Sequence, residues 1–279
     1  MYKKFLIIAS KLDKAGTNIT TALSQFKKNP LLSSLNQDSK GFDFYLIDND
    51  ITQTKNLNPE KINQYDFIIF TSKHLSKQNT KTLSIHTPGN PTSNDSETPE
   101  NELGKISKSS ALFCKQMFEI LIQNTKQHEL NNYQVTMEAT HHGPIIDKPC
   151  LFIEIGSTEI EHNDRRAAFV IAKTINDTIE NFQENPYNEI AIGIGGPHYC
   201  PNFNKIQETS NVAIAHIIPQ YAMPISTETI LEAIKKTQEE VDFAVLDWKG
   251  LGTSEQRQII LDILDKNYIQ YKKTSEIKK

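Results

Sequence analysis

The sequence has no long apolar run. None of its stretches approaches the about 20 consecutive apolar residues that a helix needs to cross a bilayer. The apolar residues 5–9 follow Lys3 and Lys4, but they are too few for a signal peptide and no cleavage site follows them. They predict a first buried strand, and we expect a protein that does not enter a membrane.

Cysteine is also scarce. The three cysteines are Cys114, Cys150 and Cys200, and their spacing contains neither a CxxC pair nor an even-numbered framework. This pattern predicts free thiols in a reducing cytoplasm.

An excess of positive charge is missing as well. The chain has 30 Lys and Arg against 34 Asp and Glu, which gives a net charge of −4. A nucleic-acid partner would therefore need a local basic patch. The lysines of residues 3–4 and 272–279 are predicted to be solvated tails.

Several catalytic motifs are absent. There is no HExxH, no GxSxG and no GxxxxGK[ST], which leaves the helical zinc proteases, the α/β-hydrolase esterases and the P-loop proteins without support. The run Gly193-Ile194-Gly195-Gly196 departs from GxGxxG because His198 stands where the third glycine belongs. Cys200 near His198 remains open as a nucleophile.

What is present is an alternation of apolar strands and amphipathic helices. Strands are predicted at residues 5–9, 42–47, 65–70, 81–86, 133–140, 151–155, 189–194, 212–218 and 243–246, and helices at residues 18–28 (capped by Asn18), 109–127, 164–182, 227–238 and 254–266. This order predicts the α/β class, a single domain over residues 1–279 with a mixed, mostly parallel sheet flanked by helices. The polar residues 90–104 predict a surface loop.

Residues 138–144, Glu-Ala-Thr-His-His-Gly-Pro, lie where a predicted strand runs into a turn. The same position at strand ends recurs for five of the 8 histidines and for two carboxylates: His74, His86, His141, His142, His198, Glu138 and Glu154. Ligands bind at the carboxyl ends of strands in α/β sheets. Imidazole and carboxylate groups suit zinc, and a carboxylate can also act as a general base.

Other interpretations of these residues stay open. On a flat strand His141 and His142 would point to opposite faces, unless the turn reorients one of them. Glu154 fits a buried structural carboxylate nearly as well as a site residue. His216, inside an apolar strand, is predicted to be a core or supporting histidine, whereas His128 and His162 are predicted to be solvated.

Taken together, the motifs have a family resemblance that extends over nearly the whole chain. Residues 137–144, 152–159 and 193–199, together with residues 86–90 (His-Thr-Pro-Gly-Asn) and 246–251, resemble the archaeal and plant type of D-aminoacyl-tRNA deacylase. The resemblance implies an enzyme that uses zinc to hydrolyse the ester joining a D-amino acid to the 3′ end of tRNA, in the cytoplasm, as a proofreading step. It also implies a fold similar to that of the purine nucleoside phosphorylases and peptidyl-tRNA hydrolases. From the sequence we expect no membrane and no obligate protein partner.

With this resemblance, roles can be assigned to individual residues. The predicted catalytic residues are Glu138, Thr140, His141 and His142; the predicted metal ligands are His86, His142, His198 and Glu154; the predicted substrate-binding residues are His74, Asn90, Gly195, Gly196 and Lys249. Thr140, Ser157 and the backbone N–H groups near Gly195 are candidate donors to an oxyanion. Lys249, beside Trp248, is a candidate for contact with phosphate or the terminal adenine, and equally for an ordinary surface lysine. The loop at residues 90–104 is expected near the acceptor end of bound tRNA.

Two other functions compete with this assignment. One is another zinc-dependent hydrolase or a nucleosidase-like enzyme. The other is a tRNA- or nucleotide-binding module without turnover, which the acidic balance disfavours because such binding rests on Lys and Arg against phosphate.

Overall fold

The computed structural model describes residues 2–27, 40–76, 79–92 and 98–278. The strands are β1 Lys4–Ser10, β2 Gly41–Ile47, β3 Phe67–Leu75, β4 Thr82–His86, β5 Gln134–Met137, β6 Cys150–Ser157, β7 Glu189–Ile194, β8 Val212–Ile218, β9 Phe243–Leu246 and β10 Tyr271–Lys273. The α-helices are α1 Lys14–Leu23, α2 Pro59–Ile62, α3 Ala111–Gln127, α4 Glu159–His162, α5 Arg165–Asn181, α6 Pro201–Thr209, α7 Thr227–Lys236 and α8 Ser254–Lys266.

The chain divides into two compact units, each made of separate segments. The first unit contains Met1–Ile85, Gln116–Val135 and Lys148–Glu184. The second unit contains His86–Lys115, Thr136–Asp147 and Asn185–Lys279.

A six-stranded sheet has the strand order β2-β1-β3-β6-β4-β5. Strand β1 pairs in parallel with β2 and β3, and β3 pairs in parallel with β6. The apolar run of β1 is buried over Phe5–Ala9, as expected of a parallel strand covered on both faces. Helix α1 packs against β3 and α5 within the first unit.

Helix α1 begins earlier than predicted, at Lys14. Its N-cap is Asp13, whose Oδ1 accepts a hydrogen bond from the Gly16 N–H at 3.0 Å. The predicted cap, Asn18, is therefore wrong. Asn18 lies within the helix and donates to the His162 carbonyl at 3.0 Å.

The second unit contains a four-stranded sheet in the order β10-β9-β7-β8. Its pairings are parallel, and Ile194 at the end of β7 is in register with Ile218 of β8 and Leu246 of β9. Three strands therefore end side by side. Buried apolar residues from these strands and from helix α8, among them Ile260 and Leu264, form the core beneath that edge.

The predicted α/β class, with mostly parallel strands and flanking helices, is confirmed. The strands are divided between two sheets, which the sequence pattern did not indicate. The boundary of a single domain over residues 1–279 stays a prediction. No helix of the described residues is long and apolar enough to cross a membrane.

Two predictions about polar segments need correction or comment. The lysines of residues 272–278 are not a solvated tail, because β10 pairs with β9 and the Lys272 ammonium bonds the Glu189 carboxylate. Within the predicted loop at residues 90–104, residues 93–97 lie outside the described part of the chain. The described part contains a 3-10 turn at Glu100–Glu102, and Asn90 is buried.

Candidate active site

The turn after β5 carries a buried carboxylate. Strand β5 ends at Met137, and not at residue 140 as predicted, because the next backbone groups bond elsewhere. The Ala139 N–H donates to the His198 carbonyl and the Thr140 N–H donates to the Ile217 carbonyl, each at 2.8 Å. Glu138 therefore directly follows the strand and is only 1% exposed.

The two adjacent histidines lie on the same side of the turn. His142 has a φ of +37°, so its backbone turns away from the extended path that would have pointed the two rings apart. The ring centroids of His141 and His142 are 4.4 Å apart. The reorientation that a shared site requires is thus present.

Three imidazoles form a cluster, which we call the histidine cluster: His86, His141 and His142. The His86 ring, fully buried at the end of β4, lies 4.1 Å from the His141 ring and 4.9 Å from the His142 ring between centroids. One ring nitrogen from each residue lies within 4.8 Å of the others. A single cation could contact all three nitrogens.

The protonation of the cluster fits a metal site. The Nδ1–H of His141 donates to the Ala139 carbonyl at 2.8 Å, and the Nδ1–H of His142 donates to the Gly143 carbonyl at 2.7 Å. These bonds place the lone pair on Nε2 of each ring, as metal-binding histidines require. Burial, reinforced by the neighbouring His86 and His142, lowers the pKa of His141 well below its usual value. The ring is therefore neutral, the form that binds metal.

Glu138 connects this cluster to His198. The Glu138 Oε2 atom lies 3.1 Å from His198 Nε2 and 3.5 Å from His141 Nε2. The Nδ1 atom of His198 lies 3.1 Å from the Tyr221 hydroxyl. With the Nε2–H donating to the carboxylate, Nδ1 is placed to accept a hydrogen bond from the Tyr221 hydroxyl. Although the ring is exposed, burial around the phenol oxygen, together with the nearby Cys200 and Glu138, raises the pKa of Tyr221, so the phenol stays protonated.

The glycine loop before His198 is held in place by hydrogen bonds that its own backbone N–H groups donate. Gly195 and Gly196 have φ values of +97° and +82°, which favour glycine. The Gly195 N–H donates to the Ile218 carbonyl at 2.8 Å, and the Gly196 N–H donates to the Gly250 carbonyl at 3.0 Å. Both N–H groups are used inside the protein, which argues against their predicted role as oxyanion donors. A substrate contact of these glycines stays a prediction.

Thr140 belongs to a buried hydroxyl network beneath the turn. Its Oγ1 atom accepts the Ile217 N–H at 3.1 Å and lies 2.9 Å from the Thr87 Oγ1 atom. Thr87 Oγ1 in turn lies 3.0 Å from His216 Nδ1. His216 is fully buried, as predicted, and burial lowers its pKa to about 4. Thr87 stands in the quoted motif of residues 86–90, but no role was predicted for it from the sequence.

His74 and Glu154 lie in the first unit and contact each other there. Strand β3 continues through His74, so this histidine is not in a loop after the strand. Glu154 is 3% exposed; its Oε2 atom lies 3.6 Å from His74 Nδ1, and its Oε1 atom accepts a hydrogen bond from the Ser72 hydroxyl. The Ser157 hydroxyl donates to the Thr80 carbonyl, which argues against its role as an oxyanion donor. The metal and substrate roles of His74 and Glu154 stay predictions.

Of the remaining predicted site residues, Asn90 is buried, and its backbone N–H donates to the Lys105 carbonyl at 2.7 Å. Lys249 is exposed in the 3-10 turn Trp248–Leu251. Their substrate contacts stay predictions.

Two expectations outside the predicted site are wrong. His162 is not solvated: it is 6% exposed, with Nε2 3.0 Å from the His74 carbonyl. His128 is half-buried against the Phe169 ring, at 5.4 Å between centroids.

Cys200 is not suited to act as a nucleophile. Burial, together with the charges of Glu138 and Asp247, raises the pKa of the Cys200 thiol well above its usual value. Its Sγ atom donates to the His198 carbonyl at 3.3 Å. The thiolate needed for attack is therefore disfavoured.

Comparison with known proteins identifies relatives over nearly the full chain. The sequence profile of the D-aminoacyl-tRNA deacylase family matches residues 61–272. A D-aminoacyl-tRNA deacylase of Pyrococcus abyssi is 33% identical over 273 residues, which cover 91% of this chain and 94% of that protein. A protein of the same name from Methanocaldococcus jannaschii is 30% identical over 275 residues, covering 97% of this chain and 99% of its own.

The fold also has a solved relative. A crystal structure of a conserved protein of unknown function superposes with a TM-score of 0.84 at 26% sequence identity, covering 99% of this chain and 96% of the other. The family predicted from the motifs is thus confirmed by sequence and is matched by a full-length fold. The chain belongs to the D-aminoacyl-tRNA deacylase family.

Proposed function

We propose that the protein hydrolyses the ester bond of D-aminoacyl-tRNA and releases the free D-amino acid and tRNA, a proofreading activity of the cytoplasm. Family membership supports this function. The observation that carries it is the Glu138 carboxylate, buried between His198 and His141 at the end of a strand. A carboxylate buried between two imidazoles is positioned to exchange a proton, whereas a carboxylate that only contributes to solubility lies on the surface.

The reaction needs an attacking water, a base and a proton for the leaving oxygen. Glu138 Oε2 takes the proton as the water oxygen bonds to the ester carbonyl carbon. The bond from that carbon to the ribose oxygen then breaks, and Glu138 returns the proton to the ribose oxygen. Water and ester become a carboxylic acid and a hydroxyl, so the atoms balance.

His198 keeps the carboxylate in place for this role. Its Nε2–H donates to Glu138 Oε2, while the Tyr221 hydroxyl fixes the other side of the ring. A buried carboxylate needs such a partner, because an unpaired buried charge is costly. The expected result is a carboxylate with one defined position rather than several.

The histidine cluster is the set of residues that would hold a zinc ion, through one ring nitrogen each of His86, His141 and His142. For His141 and His142 that nitrogen is Nε2, since Nδ1 donates to a backbone carbonyl. A bound zinc would supply an activated water and polarise the ester carbonyl. This set differs from the ligands predicted from the sequence, because it includes His141 and leaves out His198, which contacts Glu138, and Glu154, which contacts His74.

The activity is tested with D-tyrosyl-tRNA and L-tyrosyl-tRNA as parallel substrates. We expect release of D-tyrosine and little release of L-tyrosine. Glu138→Gln keeps the shape of the side chain and removes the base, so kcat should fall by about 100-fold or more. Equal rates on both substrates, or a parental rate for Glu138→Gln, would contradict the proposal.

The metal is tested separately by elemental analysis of the purified protein and by chelation. We expect bound zinc, lower occupancy in His141→Ala and His142→Ala, and parental occupancy in His198→Ala. Full activity after exhaustive chelation, with no metal bound, would refute the zinc assignment. Loss of zinc in His198→Ala would favour the set predicted from the sequence.

A further inference from the structure

Tyr221 combines an exposed ring with an anchored hydroxyl. The residue is 57% exposed, although its hydroxyl lies 3.1 Å from His198 Nδ1. The rings of Tyr221 and His198 are 6.2 Å apart between centroids and inclined by 34°. Single exposed apolar residues are common on proteins, so exposure alone means little. Tyr221 differs from such residues because the hydroxyl end of its exposed ring is held next to the groups that are proposed to react.

The turn that carries the ring is firmly held. Tyr221 is the middle residue of the 3-10 turn Gln220–Ala222, and Ala222 on its other side is buried in the apolar core of the second unit. The Gln220 N–H donates to the Gly196 carbonyl at 2.9 Å. The ring therefore has a fixed position without a ligand, so little ordering entropy opposes binding on its face.

The same glycine fixes a second turn. The Gly196 N–H donates to the Gly250 carbonyl, so its two backbone groups tie the turns Gln220–Ala222 and Trp248–Leu251 to the loop of His198. Lys249, on the second of these turns, is exposed. An aromatic surface and a cation thus stand on neighbouring turns, which is the combination that binds a single strand of nucleic acid.

The chemistry of the substrate says what should bind there. The scissile ester is attached to the ribose of the terminal adenosine, so the adenine must lie within one nucleoside of the reacting carbonyl. That carbonyl must lie next to Glu138 and His198. We infer that the face of Tyr221 is the platform on which the terminal adenine of the tRNA stacks, with Lys249 near its phosphate. This inference rests on the proposed function, since it deepens the account of the same site.

Three variants separate the ring from its hydroxyl. Tyr221→Phe keeps the ring and loses the bond to His198, Tyr221→Trp enlarges the platform, and Tyr221→Ala removes it. Base–aromatic stacking lost by alanine substitution weakens binding by roughly 5- to 150-fold. We expect the KM for D-tyrosyl-tRNA to rise by such a factor in Tyr221→Ala and to change little in Tyr221→Phe and Tyr221→Trp.

A control removes an aromatic ring far more exposed than this one. Tyr268 is 92% exposed, with a φ of +57° that asparagine tolerates. Tyr268→Asn should therefore leave both KM and kcat at the parental values. Circular dichroism confirms that each variant is folded.

A measurement of binding without turnover tests the adenine subsite separately from the proposed reaction. Titration calorimetry with the trinucleotide CCA should show weaker binding to Tyr221→Ala than to Tyr221→Phe. If the parent protein does not hydrolyse D-tyrosyl-tRNA, the proposed function fails, while the calorimetry still decides the subsite. Unchanged CCA binding in Tyr221→Ala overturns the inference. So does an equal loss in Tyr221→Phe and Tyr221→Ala, since the hydroxyl alone would then explain the effect.

Discussion

The buried His216 should make the stability of the protein depend on pH in a predictable way. The ring is fully buried, and burial is the main reason that its pKa falls from 6.5 to about 4. A hydrogen bond with the Lys236 backbone opposes this fall in pKa, and the positive charge of Lys236 adds to it. In the unfolded chain the ring would titrate near its ordinary value, so the unfolded state binds a proton at a higher pH than the folded state does.

The direction in which stability changes with pH follows from this difference in proton binding. The stabilising contribution is fully present above about pH 6.5 and is lost as the pH falls through 6.5 towards about 4. At about 1.4 kcal/mol per pKa unit, the whole shift corresponds to about 3 kcal/mol, and about 2 kcal/mol of it is lost between about pH 7 and about pH 5.

The measurement is urea denaturation at several pH values between about 7 and 5, followed by the fluorescence of Trp248. This residue is the chain's one tryptophan and lies in the same unit as His216. Other groups also titrate in this range, so the test is the difference between the parent and His216→Gln, which keeps a polar group that does not titrate. The variant should be less stable near pH 7 but lose about 2 kcal/mol less on acidification. Identical pH dependence in the two proteins would refute the reasoning.

Three further substitutions have defined expectations. Thr140→Val keeps the shape of the side chain but leaves the Ile217 N–H without its acceptor, so the free energy of unfolding should fall by about 1–3 kcal/mol, while Thr140→Ser stays near the parent; equal stability of the two variants in urea would contradict this. Gly250→Ala places a Cβ 2.4 Å from the Gly196 nitrogen, so the backbone there must shift. We expect the free energy of unfolding, measured in urea, to fall by about 1–3 kcal/mol and kcat/KM for D-tyrosyl-tRNA to fall as well. Parental values of both quantities would show that the loop moves aside without cost. His162→Ala removes a buried hydrogen bond and should lower the free energy of unfolding by about 1–3 kcal/mol without altering metal content, so a parental denaturation midpoint would count against the contact.

Three strands of the second unit could be predicted almost to the residue. Glu189–Ile194, Val212–Ile218 and Phe243–Leu246 are short apolar runs bounded by glycine, proline or polar residues, and the structure has the same limits. Local sequence is sufficient in such cases because a strand buried on both faces is apolar along its whole length.

Elements that depend on distant partners were missed. Strand β10, with the sequence Tyr-Lys-Lys, is a strand only because β9 offers it an edge, and nothing in its composition indicates this. Helix α6 begins at Pro201 after Cys200, whose φ is +49°. Proline at the first position of a helix is a signal that could have identified it.

The residues of the candidate site likewise fall into two groups, those that the local sequence identified and those that it missed. Glu138, His141, His142 and His198 were found because each lies at the end of a predicted strand or in the turn after it, which is a local property. Tyr221 contacts His198 across 23 residues of sequence and carries no motif.

His162 has polar neighbours in the sequence, but helix α4 places it against the backbone of β3. Such contacts depend on tertiary packing, so the spacing of residues along the sequence does not predict them.

The alternation of the two units along the chain has a consequence for how this protein can vary. Six consecutive segments belong in turn to the first and the second unit, so the chain crosses between them five times. His86, Glu138 and His198 stand on three different segments of the second unit. No single cut in the gene yields a fragment that consists of one whole unit and nothing of the other. A protease nick at any of the three inner crossings divides both units, whereas a nick at the first or the last crossing divides one of them. Recombination with a relative should therefore succeed by exchange of whole genes or of surface loops, and fail for terminal halves.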